Sequence, residues 1–413
     1  MNSTKHILII ALKSIVSLVL VALFAVIITS VSLVYDFHKI EPFSGPDIFN
    51  PYSQIDSTHC WKRANFHTHT RVEGIFNECE MWPDKVYNEL KKFNYDIITF
   101  SNHNYITKHP FDTQLQVNLY EHGYNLFKFH KLVFGSQSVN RFDNLVPLFT
   151  FQKQFQIDLL SEDSDIVVLN HPLRSRGVSK SQMERLSGYQ IIELDSGRST
   201  ENEYWDWALS AGRYSFALAN DDLHYPDRSG AIAVRCNFLC TPSAKYEDIK
   251  TTLLGGCYYS MRVPDYGKGD WQTKIERNKH LPSIKNIGLK DNSVYIALSQ
   301  VADSIKVIGQ NHTTLALATA TDSIGYTMKA NEPYSRFITY FKDGEVIYSN
   351  PFARYNASLS DSPFVSATHS VNILKTIIFN IALLILSAVI VLLLYKTIFV
   401  WKISSRDKQQ QSL

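Results

Sequence analysis

Four short strings decide the reading of this chain: His67-Thr68-His69, Ser101-Asn102-His103-Asn104, Asn170-His171-Pro172 and Asp221-Asp222-Leu223-His224. Each follows a short apolar run, at residues 64–66, 96–100, 166–169 and 214–219. A residue that follows a run of β-propensity emerges at the carboxyl end of a strand. In α/β barrels that end carries the active site. Four strands are therefore expected to point imidazoles and carboxylates at one rim, the donor set of a multinuclear metal site. His67 and His69 stand two apart on an extended segment and face the same way. Asp222 and His224 repeat that spacing, and a charged Asp at an inner rim needs a counter-charge. His103 and His171 are single histidines, a type more often found as packed core residues than as ligands.

The ordered series resembles the PHP family of metal-dependent phosphoesterases, named for polymerase and histidinol phosphatase. The family's opening, His-x-His-Thr or His-x-His-Ser followed by Asp-Gly, reads here His67-Thr68-His69-Thr70-Arg71-Val72-Glu73-Gly74. Its Thr-Asp-His-Asn reads Ser101-Asn102-His103-Asn104. Its Gly-x-Glu and His-x-Leu segments are nearest to Tyr120-Glu121-His122-Gly123 and His130-Lys131-Leu132. Its His-Pro and Asp-x-His motifs stand at His171-Pro172 and Asp222-Leu223-His224. The resemblance covers residues 60–263.

What the resemblance implies is a distorted β/α barrel holding two or three divalent ions, zinc, manganese or iron. The implied ligands are His67, His69, Glu73, His103, Glu121, His130, His171, Asp222 and His224, with Glu121 bridging the ions and His122 as an alternate. The implied reaction is hydrolysis of a small or oligomeric phosphate ester, with Asp222, His224, Asn102 and Arg174 at the reacting end. Arginine grips phosphate through two parallel hydrogen bonds, and Arg176 lies in the same loop as Arg174. Asn104, Asn170 and Glu193 are expected as supporting groups. Asn102 stands where the family has Asp; it keeps the shape but lacks the charge and the ability to accept a proton. Glu73 is one residue nearer His69 than the common spacing. These departures suit a second reading, a degenerate domain that binds or senses at the cell envelope. A third is a metallohydrolase acting on a carboxylic ester or amide.

The chain has 413 residues and a net charge of +2, which gives no sign of a broad nucleic-acid surface. Residues 14–35 and 376–395 carry no charge, and each matches the roughly 20 apolar residues that span a bilayer. A cleaved signal peptide is the alternative for the first. Lys5 and Lys13 precede it, and Lys396, Lys402, Arg406 and Lys408 follow the second. This bias puts both tails, 1–13 and 396–413, in the cytoplasm and the rest outside it.

Between the spans, 36–57 and 356–375 read as linkers and 58–265 as the α/β metal domain. Apolar periodicity predicts helices at 83–93, 204–210 and 246–254. From 282 to 355 the runs shorten and alternate, which predicts a small all-β sandwich that supplies no ligand and is separable. The cysteine count is five. Cys236 and Cys240 share a strand roughly 13 Å apart, too far to bridge. A Cys60–Cys79 bridge is open, with buried free thiols the plainer expectation.

Overall fold

The computed structural model describes residues 3–55, 61–74, 77–174, 177–197, 199–200, 202–364 and 368–400 as a mixed α/β protein. Six strands form one sheet in the order Phe216–Asn220, Ile191–Ser196, Ile166–Leu169, Lys131–Phe134, Leu119–His122, with Ser199–Thr200 paired onto Ile191–Ser196. Lys131–Phe134 runs antiparallel to both its neighbours, whereas Ile166–Leu169, Ile191–Ser196 and Phe216–Asn220 are parallel. Ile166–Leu169 is Ile-Val-Val-Leu and buried throughout, the composition of a strand covered on both faces.

Trp61–Asn65 and Ile97–Ile98 pair in parallel at one end of a second sheet. Two single bridges tie their continuations to the first sheet, Thr68 to Leu223 and His103 to Glu121. The His69 amide donates to the Leu223 carbonyl at 2.9 Å and the Ser101 amide to the Thr68 carbonyl at 2.8 Å. These contacts close a ring of strand ends, and all four motif strings lie on it. Phe66, wholly buried just before His67, packs edge-on against Phe134 at 5.6 Å. Cutting such a ring back to alanine costs roughly 3–5 kcal/mol and would loosen the segment that aims His67 and His69.

The expected helices appear as Pro83–Lys91, Asn202–Ser210 and Tyr246–Gly255. Pro83 sits in the first turn of its helix, and Val86 and Leu90 are buried. Tyr246–Gly255 ends on Gly256 at φ +79°, where a Cβ would lie 2.3 Å from the Phe216 ring. Only glycine fits that left-handed turn.

The region from 282 to 355 is not a separate sandwich. Its strands continue the second sheet, which has 11 strands, through antiparallel pairing of Val346–Ser349 with Tyr258–Arg262. A buried ion pair crosses the same boundary: Arg336 donates to Asp206 at 3.0 and 2.6 Å. Alternation reports which face of a strand is buried and says nothing of its partner strand, so the spacing alone suggested an independent unit. The expected linkers are also partly structured. Asp47–Phe49 pairs with Phe352–Tyr355, and Tyr35–Phe37 with His369–Val371.

Two helices, Ser3–Ile28 and Ile373–Tyr395, are long and apolar enough to cross a membrane. The first ends at Ile28, earlier than the charge-free run 14–35, and the Thr29 and Ser30 hydroxyls bond the carbonyls of Ala25 and Val26. The helices lie side by side and antiparallel. Asn380 donates to the Ser32 carbonyl at 2.9 Å, and the Lys13 ammonium to the Thr397 carbonyl at 3.3 Å. Cys60, Arg176 and the tail beyond 400 lie outside the described residues. Cys79, Cys236, Cys240 and Cys257 are buried thiols.

Candidate metal centre

The buried Glu121 carboxylate is the hub of the site. One oxygen lies 3.1 Å from His67 Nε2, 3.3 Å from His69 Nε2 and 3.0 Å from His103 Nε2. The other lies 3.0 Å from His130 Nδ1 and 3.2 Å from His171 Nε2, and accepts from the Asn170 amide at 3.0 Å. Glu121 reaches inward because it sits mid-strand in Leu119–His122. His122, next along the strand, points to the opposite face; its Nε2 is 2.8 Å from the Phe142 carbonyl and stays away from the hub. His130 precedes Lys131–Phe134, and since that strand is antiparallel to its neighbours, its start meets their ends.

Asp222 closes the other side. Its Oδ1 lies 3.3 Å from His67 Nε2, 3.4 Å from His69 Nε2 and 3.0 Å from His224 Nε2. The His224 ring stacks on His69 at 4.2 Å. Asp222 has φ +49° and His171 φ +21°, backbone conformations that non-glycine residues hold only when their surroundings impose them. For Asp222 the imposing neighbour is Asp221. Its carboxylate accepts from the amides of Ala233, Val234 and Arg235 at 2.8 to 3.0 Å and from Asn65 at 2.9 Å.

Several of these atoms are close without being hydrogen-bonded. His67 Nε2, His69 Nε2 and Asp222 Oδ1 are buried and have no hydrogen-bond partner among the described residues. Buried polar atoms are almost always satisfied. Two ligands bonded to one ion at about 2.1 Å sit roughly 3.0–3.4 Å apart, which is the spacing found here. Such atoms aim at a shared point and not at one another. His67, His69, Glu121 and Asp222 form one group able to hold an ion; His103, Glu121 and His130 form another, and His69, His103 and Glu78 a third. His67, His171 and Glu193 are equally close together, but Glu193 has a different part. It takes His67 Nδ1 at 2.9 Å and so leaves Nε2 facing the hub, the arrangement by which a carboxylate orients a metal-binding histidine.

The electrostatics agree. Burial pulls the His67 imidazole down, yet Glu121, Glu193 and Asp222 together hold it well above its ordinary value. His69 is raised to about 9 against the same burial, by Asp222 and Glu121. Burial wins at His130, which falls to about 3 despite Glu121. Glu121 and Asp222 are held well below the carboxylate range, because the surrounding imidazoles outweigh burial. Glu121 and Asp222 draw positive charge to the site, and neutral imidazoles around anionic carboxylates can hold divalent ions.

Not every expected residue joins the cluster. Glu73 is exposed and outside all the groups. Glu78, in the same loop, lies 3.2 Å from His103 Nε2 and 3.5 Å from His69 Nδ1. The motif spacing drew attention to Glu73, while the loop folds so that its later carboxylate reaches back. Asn102 faces Thr70 and Thr107, with bonds of 2.7 and 2.6 Å from its amide nitrogen. Arg174 forms an ion pair with Asp222 Oδ2. The Asn170 side-chain oxygen accepts from the Leu132 backbone amide at 2.9 Å, which fixes its side-chain nitrogen on Glu121. A cavity of about 600 Å³ opens over the cluster, lined by His69, Thr70, Glu78, Asn102, His103 and Tyr124 among others.

No family model matches this chain, and no curated protein matches it. A solved structure similar to it is a two-domain protein from Bacteroides vulgatus containing a predicted PHP-like metal-dependent phosphoesterase. It is 12% identical, with 76% of this chain and 100% of that one covered, at a TM-score of 0.37.

Proposed function

We propose that this chain is a membrane-anchored, metal-dependent hydrolase of phosphate esters, built on a distorted β/α barrel of PHP type. The observation that carries the reading is Glu121, one buried carboxylate within 3.0 to 3.3 Å of five histidines brought in from four strand ends. His67, His69, His103, Glu121, His130, His171, Asp222 and His224 would hold two or three ions, with Glu78 completing the open side. When bound, divalent ions supply Lewis acidity and lower the pKa of a water.

The chain's own groups do the rest. Glu193 fixes the tautomer and aim of His67, and Asp221 fixes the turn that presents Asp222. Arg174, about 39% exposed beside Asp222, is placed to turn from that carboxylate to a substrate phosphoryl group. Asn102 holds Thr70 in the cavity wall and also bonds Thr107. The antiparallel pairing of the two long apolar helices supports a two-pass reading with both tails on one side of a bilayer, and the Lys and Arg bias favours the cytoplasmic side.

The test is to purify the full chain, count bound transition metals, and assay it on phosphomonoesters, phosphodiesters and carboxylic esters. Two or more ions and turnover of a phosphate ester are expected, with at least one ion lost in His67→Ala with His69→Ala. Metal-free protein under replete conditions would overturn the reading. Turnover confined to carboxylic esters would move it to another reaction class.

A further inference from the structure

We infer that the substrate is a phosphate ester carried by a membrane lipid, taken from the bilayer surface across a lip formed by residues 124–126 and 144–151. This rests on the proposed hydrolase reading and on the membrane-crossing reading of the two helices, and it names the substrate class for that site.

The inference starts from how the metal-bearing part is tied to the helices. Asn144 donates to the Thr29 carbonyl at 2.6 Å and the Val31 carbonyl at 3.2 Å. Gln152 donates to the Ser30 carbonyl at 3.2 Å, and the Leu145 amide to the Thr29 hydroxyl at 3.3 Å. The segment between these clamps does not stop at the helix ends. Phe149 and Phe151 pack on Phe379 at 6.4 and 5.0 Å. Phe379 lies six residues into Ile373–Tyr395, about 9 Å along the axis at 1.5 Å per residue. The charge-free run begins at 376, three residues before Phe379, so on the membrane-crossing reading Phe149 and Phe151 reach the first turn of that run. Leu148 and Phe149 are nonetheless 57% and 50% exposed. Apolar side chains at that depth face lipid, and aromatic rings favour this level of a bilayer.

The same segment leads to the site. The Leu126 amide donates to the Leu145 carbonyl at 3.0 Å. The amides of Tyr124 and Asn125 both bond the Asp143 carboxylate, at 2.8 and 2.9 Å. Tyr124 lines the cavity, and its ring lies 5.1 Å from that of His103. Tyr124 and Leu126 are 60% and 68% exposed. Exposed apolar and aromatic groups thus stand both at the cavity mouth and on the segment packed against Phe379, and hydrogen bonds join the two segments. A soluble ester needs no such lip. An ester with chains in the bilayer can leave them there while its phosphate reaches the histidines.

The experiment uses the full chain in phosphatidylcholine nanodiscs, loaded with zinc or manganese. The probes are dioleoyl phosphatidate and dioleoyl phosphatidylglycerol in the same discs, each compared with its dibutyryl form in solution. The embedded forms are expected to turn over at least ten-fold faster than the short-chain forms. Leu148→Ser with Phe149→Ser should cut that ratio at least five-fold, and Phe149→Trp should keep it. Turnover of the short-chain forms with no preference for the embedded ones, or a ratio unmoved by the double variant, overturns the lipid inference and leaves the hydrolase reading standing. Metal-loaded protein that turns over no ester of either kind overturns both.

Discussion

Asn102 and Thr70 are bonded in both directions. The Asn102 side-chain oxygen accepts from the Thr70 amide at 2.7 Å, and its nitrogen donates to the Thr70 hydroxyl at 2.7 Å. A carboxylate has no donor to give. The Thr70 and Thr107 hydroxyls accept from the neutral amide here, and a carboxylate would require both of them to turn and donate instead.

Asn102→Asp should consequently fail to raise turnover. It places a charge at a site that is 5% exposed, so a loss of roughly 1–3 kcal/mol in stability is expected. Thermal melts and ester assays on the parent and variant check it. A faster, equally stable variant would mean that the site is a decayed version of an Asp-dependent one.

Acid should loosen the contact between the metal-bearing part and the region after residue 282. Burial would raise the Asp206 carboxyl, but Arg336 and His312 outweigh it and hold the group below its ordinary value. With the folded value below an unfolded one of about 3.9, this contribution is full above roughly pH 5 and is lost as pH falls through the folded value. Arg336→Met leaves Asp206 without its main partner and should cost about 3–5 kcal/mol at neutral pH. Melts between pH 3 and 7 on parent and variant test both statements; a variant as stable as the parent would contradict them.

Deleting 284–355 should abolish metal binding by unfolding the protein, although no candidate ligand lies there. The deletion strips Val346–Ser349 from Tyr258–Arg262 and removes Arg336 from Asp206. Circular dichroism and metal analysis of the truncated chain check this. A folded, metal-loaded product would show that the continuous sheet is dispensable.

Reporter fusions at Leu413 and at the exposed Lys268 should report opposite compartments. Matching compartments would show that at least one of the long apolar helices does not cross, and would remove the basis of the lipid inference.

The candidate cluster was legible in the sequence where the signal was local. His67, His69, His103, His171, Asp222 and His224 each follow an apolar run, and strand direction alone sends them to one rim. Glu121 and His130 needed the family resemblance, because one sits within a strand and the other precedes an antiparallel one. Glu78 was out of reach: its place depends on the path of a loop that carries three glutamates, Glu73, Glu78 and Glu80. The β region misled because strand pairing is a long-range property. Asp206 and Arg336 are 130 residues apart, and nothing near either one in the sequence announces the other.

The most direct test of the central claim is metal stoichiometry in Glu121→Gln. The change keeps the shape of the side chain and removes the negative charge that faces His67, His69, His103, His130 and His171. Inductively coupled plasma analysis of the full chain, purified in parallel with its parent, is expected to show two or more ions in the parent and at least one fewer in the variant, with circular dichroism unchanged. Equal metal content in the two, or none in the parent, would contradict a metal centre built around Glu121.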